Sequence, residues 1–187
     1  GLGPGWSTVA NTPFRRHKSW NHEGGIATPL VVCWPAGIQA RGELRHSPGH
    51  LIDIVPTLLQ LANVTAPANW NGERRPPLPG ISLVPAFASD VHVERELFFK
   101  HTINRALRVG DWKITASGDD APWELYDLAT DRVEERDLAS QDPKLVAKLA
   151  ERWSQRNAEY AAEGATAGDL PKKANKRAAK KAGAAAE

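Results

Sequence analysis

The apolar positions of this chain change their spacing three times, and each spacing predicts a different element. The first is an unbroken block, Thr28-Pro29-Leu30-Val31-Val32-Cys33-Trp34, entered from Gly24-Gly25. Branched apolar residues without alternation predict a strand over Ile26–Pro35 buried on both faces, with Cys33 as a plain buried thiol. The second spacing is helical. Ile54, Val55, Leu58, Leu59 and Ala62 share one helical face, Asp53 is a good cap, Pro56 sits in the first turn, and Asn63 is a plausible stop.

Residues 65–90 hold Pro67, Pro76, Pro77, Pro79 and Pro85 and read as an irregular surface connection. Short strand-like runs follow. They are Glu96–Thr102, then Asn104–Ala116 with a turn at Gly110-Asp111, then Trp123–Leu128 alternating with period two. Consecutive hairpins of this kind predict a small antiparallel sheet. A helix comes next: Asp142 caps, Pro143 takes the first helical position, and Leu145, Val146, Leu149, Trp153 and Tyr160 recur at helical spacing. A sheet with a helix on one face makes residues 95–163 an α+β layer. Beyond Glu163 the chain is mostly Ala, Lys and Gly, with Leu170 as its single large apolar residue, so residues 164–187 are expected to be disordered.

Composition narrows the function classes. In 187 residues, 41% are apolar and 25% charged, which permits a core and a soluble surface. The longest apolar run falls far short of a membrane span of about 18 residues. A single cysteine excludes an internal disulfide and a multi-cysteine zinc site. The net charge of +2 is uneven: residues 164–187 carry six basic groups against Asp169 and Glu187, leaving +4 there and −2 elsewhere. Those six groups allow a nucleic-acid-binding arm, but the body has no nucleic-acid motif, so nucleic acid is not the expected partner. With Gly1 first, no methionine and no visible signal segment, the sequence is expected to be a piece of a longer product.

Candidate chemistry concentrates in residues 1–25, a segment rich in Gly, Pro, Asn, Ser and charge that is expected to be irregular. Within it, Asn11-Thr12-Pro13-Phe14-Arg15-Arg16-His17-Lys18-Ser19-Trp20-Asn21-His22-Glu23-Gly24-Gly25 places Arg, His and Lys beside a Gly-Gly turn. Such a cluster suits an oxyanion, because cations attract it and glycine lets backbone approach closely; a solvated basic loop accounts for it equally.

The pattern Asn-x-Pro-Phe-Arg-x-x-Lys, followed after four intervening residues by Glu-Gly-Gly, resembles the second signature of the sulfatase family. Thr28–Pro35 is similar to that family's next core strand. Asp53–Leu59, Asn104–Lys113 and Trp123–Leu128 resemble segments of arylsulfatases, the last two in their C-terminal subdomain. The likeness runs from about Gly5 to Arg152. It implies an α/β fold, of which residues 1–63 are the last part of an alkaline-phosphatase-like domain. Residues 64–94 are then a Pro-rich connection and 95–163 the C-terminal sheet-and-helix subdomain.

The resemblance also implies chemistry. Sulfatases hydrolyse sulfate esters with a formylglycine hydrate on a divalent cation, usually calcium. The lysine matching the signature is Lys18, which in the family contacts the sulfate and helps neutralise charge on the leaving oxygen. His22, just before Glu-Gly-Gly, is a candidate for the pocket mouth, or fills a polar niche. His101, on a subdomain hairpin, is a candidate substrate-pocket residue. Arg15 and Glu23 are expected to pair or to hold the loop, and His17, His46, His50 and His92 have no partners at ligand spacing.

The departures from the family pattern are as informative. Cys33-Trp34-Pro35-Ala36-Gly37 imitates the start of the Cys/Ser-x-Pro-x-Arg nucleophile motif, but Gly37 replaces the arginine and the position is wrong. The metal's paired aspartates are absent. The expectation is therefore an arylsulfatase-type C-terminal fragment, inactive alone, whose nucleophile and calcium come from a missing N-terminal part. A phosphoesterase or phosphonate hydrolase of the same superfamily and a non-catalytic binding module are the alternatives. Family habit favours a periplasmic or secreted location.

Overall fold

The structure is a computed structural model that describes residues 3–166. The chain divides between Ala150 and Glu151 into two compact units. Four strands, β3 (Glu96–His101), β4 (Asn104–Val109), β5 (Trp112–Ser117) and β6 (Glu124–Asp127), pair antiparallel in sequence order. They follow a two-stranded hairpin, β1 (Asn69–Trp70) and β2 (Glu73–Arg74).

The register of the larger sheet gives it two chemically distinct faces. Side chains alternate across a strand, so residues paired across strands share a face. One row, Phe98–Leu107–Ile114–Leu125, is apolar, and its last three members are fully buried. Each such aliphatic group contributes about 1.5–3 kcal/mol on burial. The rows of the opposite face are Leu97–Arg108–Lys113–Tyr126 and Phe99–Ala106–Thr115–Glu124, with His101–Asn104–Ser117 at their end. This face is polar, yet Lys113 and Thr115 are fully buried, so something covers it. The cover is the 15–25 loop.

Helix α4 (Pro143–Thr166) starts as its sequence predicts. The Asp142 carboxylate accepts from the Leu145 N–H at 2.9 Å, a cap worth about 1 kcal/mol. Leu149 and Trp153 are buried and Tyr160 is exposed. The helix includes Gly164–Thr166, which the composition argument had placed in the tail; the rest of that expected tail lies outside the described residues.

Four expectations are corrected. Ile26–Pro35 is not a strand: Ile26 closes a short helix, α2 (Glu23–Ile26), and the following residues are irregular. Val31 is 89% exposed and the Cys33 thiol is exposed, because no described strand lies alongside to take the backbone bonds or cover the side chains. Residues 1–25 are not wholly irregular, since α1 (Gly3–Val9) and α2 form within them. Residues 65–90 include the β1–β2 hairpin, whose Asn71-Gly72 turn has positive φ at both positions, as a two-residue hairpin requires.

The last correction concerns helix α3 (Ile54–Leu61). It is preceded by a 3-10 turn over Leu51–Asp53, and the Asp53 side chain does not cap it. Both carboxylate oxygens instead meet Arg95 at 2.7 and 2.6 Å, and accept from the backbone of His50 and Ile81. Burial opposes the Asp53 charge, but these donors outweigh it and hold the carboxyl below its usual range. Val55 and Leu58 are exposed, so the predicted apolar face is only partly covered. Asn63 takes φ +52, the left-handed stop that the sequence suggests.

Candidate functional site

The 15–25 loop lies on the polar face of the sheet and is fastened to it at four places. At its start, Arg15 Nη1 donates to the Tyr126 hydroxyl at 3.0 Å and to the Glu134 carbonyl oxygen. Near its end, His22 Nε2 lies 2.9 Å from Glu124 Oε2, and the Glu23 carboxylate meets Lys113 Nζ at 2.9 Å. The Glu23 backbone N–H donates to Glu134 Oε2 at 2.7 Å. In the middle, Asn104 Nδ2 donates to the Ser19 carbonyl at 2.6 Å.

These partners form a buried charge cluster. Lys113 is fully buried between two carboxylates, Glu23 and Glu134, the second at 2.8 Å but off the hydrogen-bonding direction. Arg132, half exposed, adds a longer contact to Glu23 at 3.4 Å and lies over the Phe14 ring. Glu124 accepts from both His22 and Tyr126, the latter at 2.5 Å. The His22 hydrogen bond, then Tyr126 and Arg15, hold the Glu124 carboxyl down to about 2 against the opposing effect of burial. Burial and the adjacent Glu124 push the Tyr126 phenol well above its usual range.

The two signature glycines let the loop close on itself. The Gly24 N–H donates to the Arg15 carbonyl at 3.0 Å, and a Cβ there would collide with the Arg15 and Arg16 carbonyl oxygens. A Cβ at Gly25 would collide with the carbonyl of Trp20. Glycine is required at both positions by close backbone approach rather than by an unusual φ.

Lys18 emerges from this frame. It is exposed, and its ammonium makes no ion pair or hydrogen bond among the described residues. Thr8, Arg15, Arg16, His17 and Trp20 line an open cleft of about 360 Å³, with the Arg16 guanidinium 4.4 Å from the centre of the Trp20 ring. His101 is exposed and pairs across the β3–β4 hairpin with Asn104, the residue that holds Ser19. Lys18 and His101 are therefore tied to the same end of the same sheet face. His22 is placed differently, in the interior with no exposure, its ring 6.4 Å from that of Tyr126. Arg15 and Glu23 hold the loop as expected, though through separate partners. His50 accepts from the Ile52 N–H and packs its ring near Phe99.

Sequence reasoning missed Glu134, and quoted Asn104, Lys113, Glu124 and Tyr126 only within matching segments, without a role. The only signal for Lys113 is a lysine in an otherwise burying strand. Glu134 lies in a turn with φ +59 and carries no local mark. A calcium site needs several converging oxygen ligands. Among the described residues no group of three or more His, Cys, Asp or Glu converges in that way, so these side chains do not fit the cation. No described helix is long and apolar enough to cross a membrane.

The family model described as N-sulphoglucosamine sulphohydrolase, C-terminal, matches residues 15–159, and the chain belongs to this family of sulfatases. It is 31% identical over 158 residues to an uncharacterized sulfatase of Schizosaccharomyces pombe, covering 81% of this chain and 28% of that protein. It is 32% identical over 140 residues to arylsulfatase K of Danio rerio, covering 71% and 26%. With N-acetylgalactosamine-6-sulfatase of Mus musculus the identity is 27% over 123 residues, covering 65% and 22%. Among solved structures, Ps i-CgsB shares the fold with a TM-score of 0.65 at 24% identity, over 78% of this chain and 32% of that one. The chain thus spans only about a quarter of the length of the curated relatives it matches.

Proposed function

We propose that this chain is the C-terminal part of an arylsulfatase-type sulfuric ester hydrolase and that Lys18 is its contribution to the sulfate pocket. The observation that supports this reading is the geometry of the signature loop. Arg15, His22, Glu23 and the Ser19 carbonyl are all spent on the sheet, while Lys18 is exposed and its ammonium has no ion pair or hydrogen bond among the described residues. A compact cation with three donors, held before charge develops on the ester oxygen, favours the transition state over the ground state. His101, exposed at the same end of the sheet face, forms part of the substrate-pocket rim in this reading.

In this reading the formylglycine nucleophile and the calcium ligands belong to an N-terminal α/β part of the same alkaline-phosphatase-like fold. Residues 1–63 complete that part, residues 64–94 connect, and the sheet and α4 form the subdomain. The exposed apolar residues of 30–34 and of α3 are where the α/β part would seat. The chain alone is inactive, and the protein works in the periplasm or outside the cell. The test is hydrolysis of a chromogenic aryl sulfate with calcium, by this chain and by a longer polypeptide that also carries the α/β part. Activity confined to the longer polypeptide, falling about 10²–10³-fold in Lys18→Ala, is the expected result. Indifference to Lys18, or turnover of phosphate esters only, would instead point to a phosphoesterase of the same superfamily.

A further inference from the structure

Lys18 occupies a defined turn. The Trp20 N–H donates to the His17 carbonyl at 3.1 Å, so Lys18 and Ser19 are the two central residues of a four-residue turn. Ser19 has φ +85, the left-handed value that the second central position of a type II turn requires and that glycine normally supplies. Arg16, two residues before Lys18, also has a positive φ, +68. Non-glycine residues in that region cost of order 1–3 kcal/mol each and persist only where surrounding contacts enforce them. The contact at this turn comes from the sheet: Asn104, 8% exposed at the start of β4, donates its Nδ2 to the Ser19 carbonyl at 2.6 Å. The four fastenings of the loop are Arg15, His22 and Glu23 at its ends and Ser19 in its middle, and only the last touches the turn that carries Lys18.

We propose that Asn104 is a positioning residue: by holding the Ser19 carbonyl it fixes the turn that aims the Lys18 ammonium. The inference rests on the reading of Lys18 as the sulfate-facing lysine. Its physical basis is that a flexible lysine stem delivers its charge to a point only if its Cα is fixed. Without the Asn104 amide the turn keeps only its internal bonds, Trp20 N–H to the His17 carbonyl and the His17 ring to the Lys18 carbonyl, against an unfavourable φ, and it samples other arrangements. A ground-state contact loosened in this way reduces the oriented fraction and lowers kcat more than it raises KM.

Two experiments test the proposal. The first is amide exchange on this chain. In Asn104→Ala the Trp20 amide is expected to exchange at least about tenfold faster, with the Leu107 and Ile114 amides of the sheet unchanged. Asn104→Asp, which keeps the volume and loses the donor, should behave like Asn104→Ala. Unchanged Trp20 exchange in both variants overturns the anchor whatever Lys18 does, and wild-type exchange in Asn104→Asp alone assigns the effect to volume and also overturns it. The second is a double-mutant cycle on aryl sulfate hydrolysis in the longer polypeptide. Asn104→Ala is expected to lower kcat about tenfold with KM shifted less than about twofold, and to add nothing in a Lys18→Ala background. An equal loss with and without Lys18 marks Asn104 as merely structural and overturns the proposal. A Lys18→Ala variant with full activity sinks the functional reading itself, and is recognised by that single measurement.

Discussion

Lys113 and Glu23, 90 residues apart in sequence, meet at 2.9 Å with almost no solvent on either side chain. Glu134 completes the arrangement at 2.8 Å from the same ammonium. One strand of the C-terminal sheet thereby neutralises the acidic residue of the Glu-Gly-Gly signature, and the loop that bears Lys18 is set against the polar face of that sheet.

Removing the lysine should be severe. Lys113→Met leaves the buried Glu134 without a counter-charge and Glu23 with only the longer contact to Arg132, a loss of about 3–5 kcal/mol. Urea denaturation should show it directly, and adding Glu23→Gln should recover part of the loss by removing one stranded charge. A Lys113→Met protein with wild-type stability would mean that the cluster is not closed in solution.

The acid limb of stability should depend on Glu124. Its folded pKa, about 2, lies below the ordinary carboxylate value, so its contribution is present above about pH 4.5 and is lost as pH falls toward 2. Part of the side chain remains open to solvent, which reduces the effect to about 1–2 kcal/mol. Denaturation midpoints from pH 6 to 2 should fall less steeply in Glu124→Gln than in the parent. Parallel curves would remove Glu124 from the account.

Gly25→Ala tests the closing of the loop. The added methyl meets the Trp20 carbonyl, so either the loop opens or the helix start shifts, at about 1–3 kcal/mol. The expected signature is faster exchange of the Gly24 and Gly25 amides, with the β4–β5 ladder retained. A variant as protected as the parent would show that the loop tolerates a side chain there.

The exposed Cys33 tests where the proposed α/β part seats. In this chain alone its thiol should react with a disulfide reagent at once, without denaturant. In the longer polypeptide the proposed α/β part should protect it by at least about tenfold. Equal reactivity in both would mean that residues 30–34 are not where that part seats.

Much of the sheet was legible in the sequence because its signals are local. Gly110-Asp111 marks a turn whose flanking runs pair in the register their alternation implies, and Asp142-Pro143 marks the start of α4. Asn71-Gly72 was an equally local hairpin signal that the density of prolines obscured. Ile26–Pro35 misled because an apolar block states only that cover is needed, and the described residues do not provide it. Asp53 misled for a related reason: a residue suited to cap a helix was claimed by Arg95, whose guanidinium binds a carboxylate with two donors.

For the site the division follows the same physics. The sequence by itself marked the candidate residues and the Gly-Gly turn, since a lysine at fixed spacing before Glu-Gly-Gly is a property of a short stretch of chain. It also determined the family, because the matching segments recur in order along the chain. Only the tertiary structure decided that Glu23 is an internal counter-ion, that His22 is buried against Glu124, and that Asn104 grips Ser19. Those roles arise between residues roughly 85 to 110 positions apart. Burial and ion pairing at such separations depend on which face of the sheet the loop covers, and no local pattern carries that information.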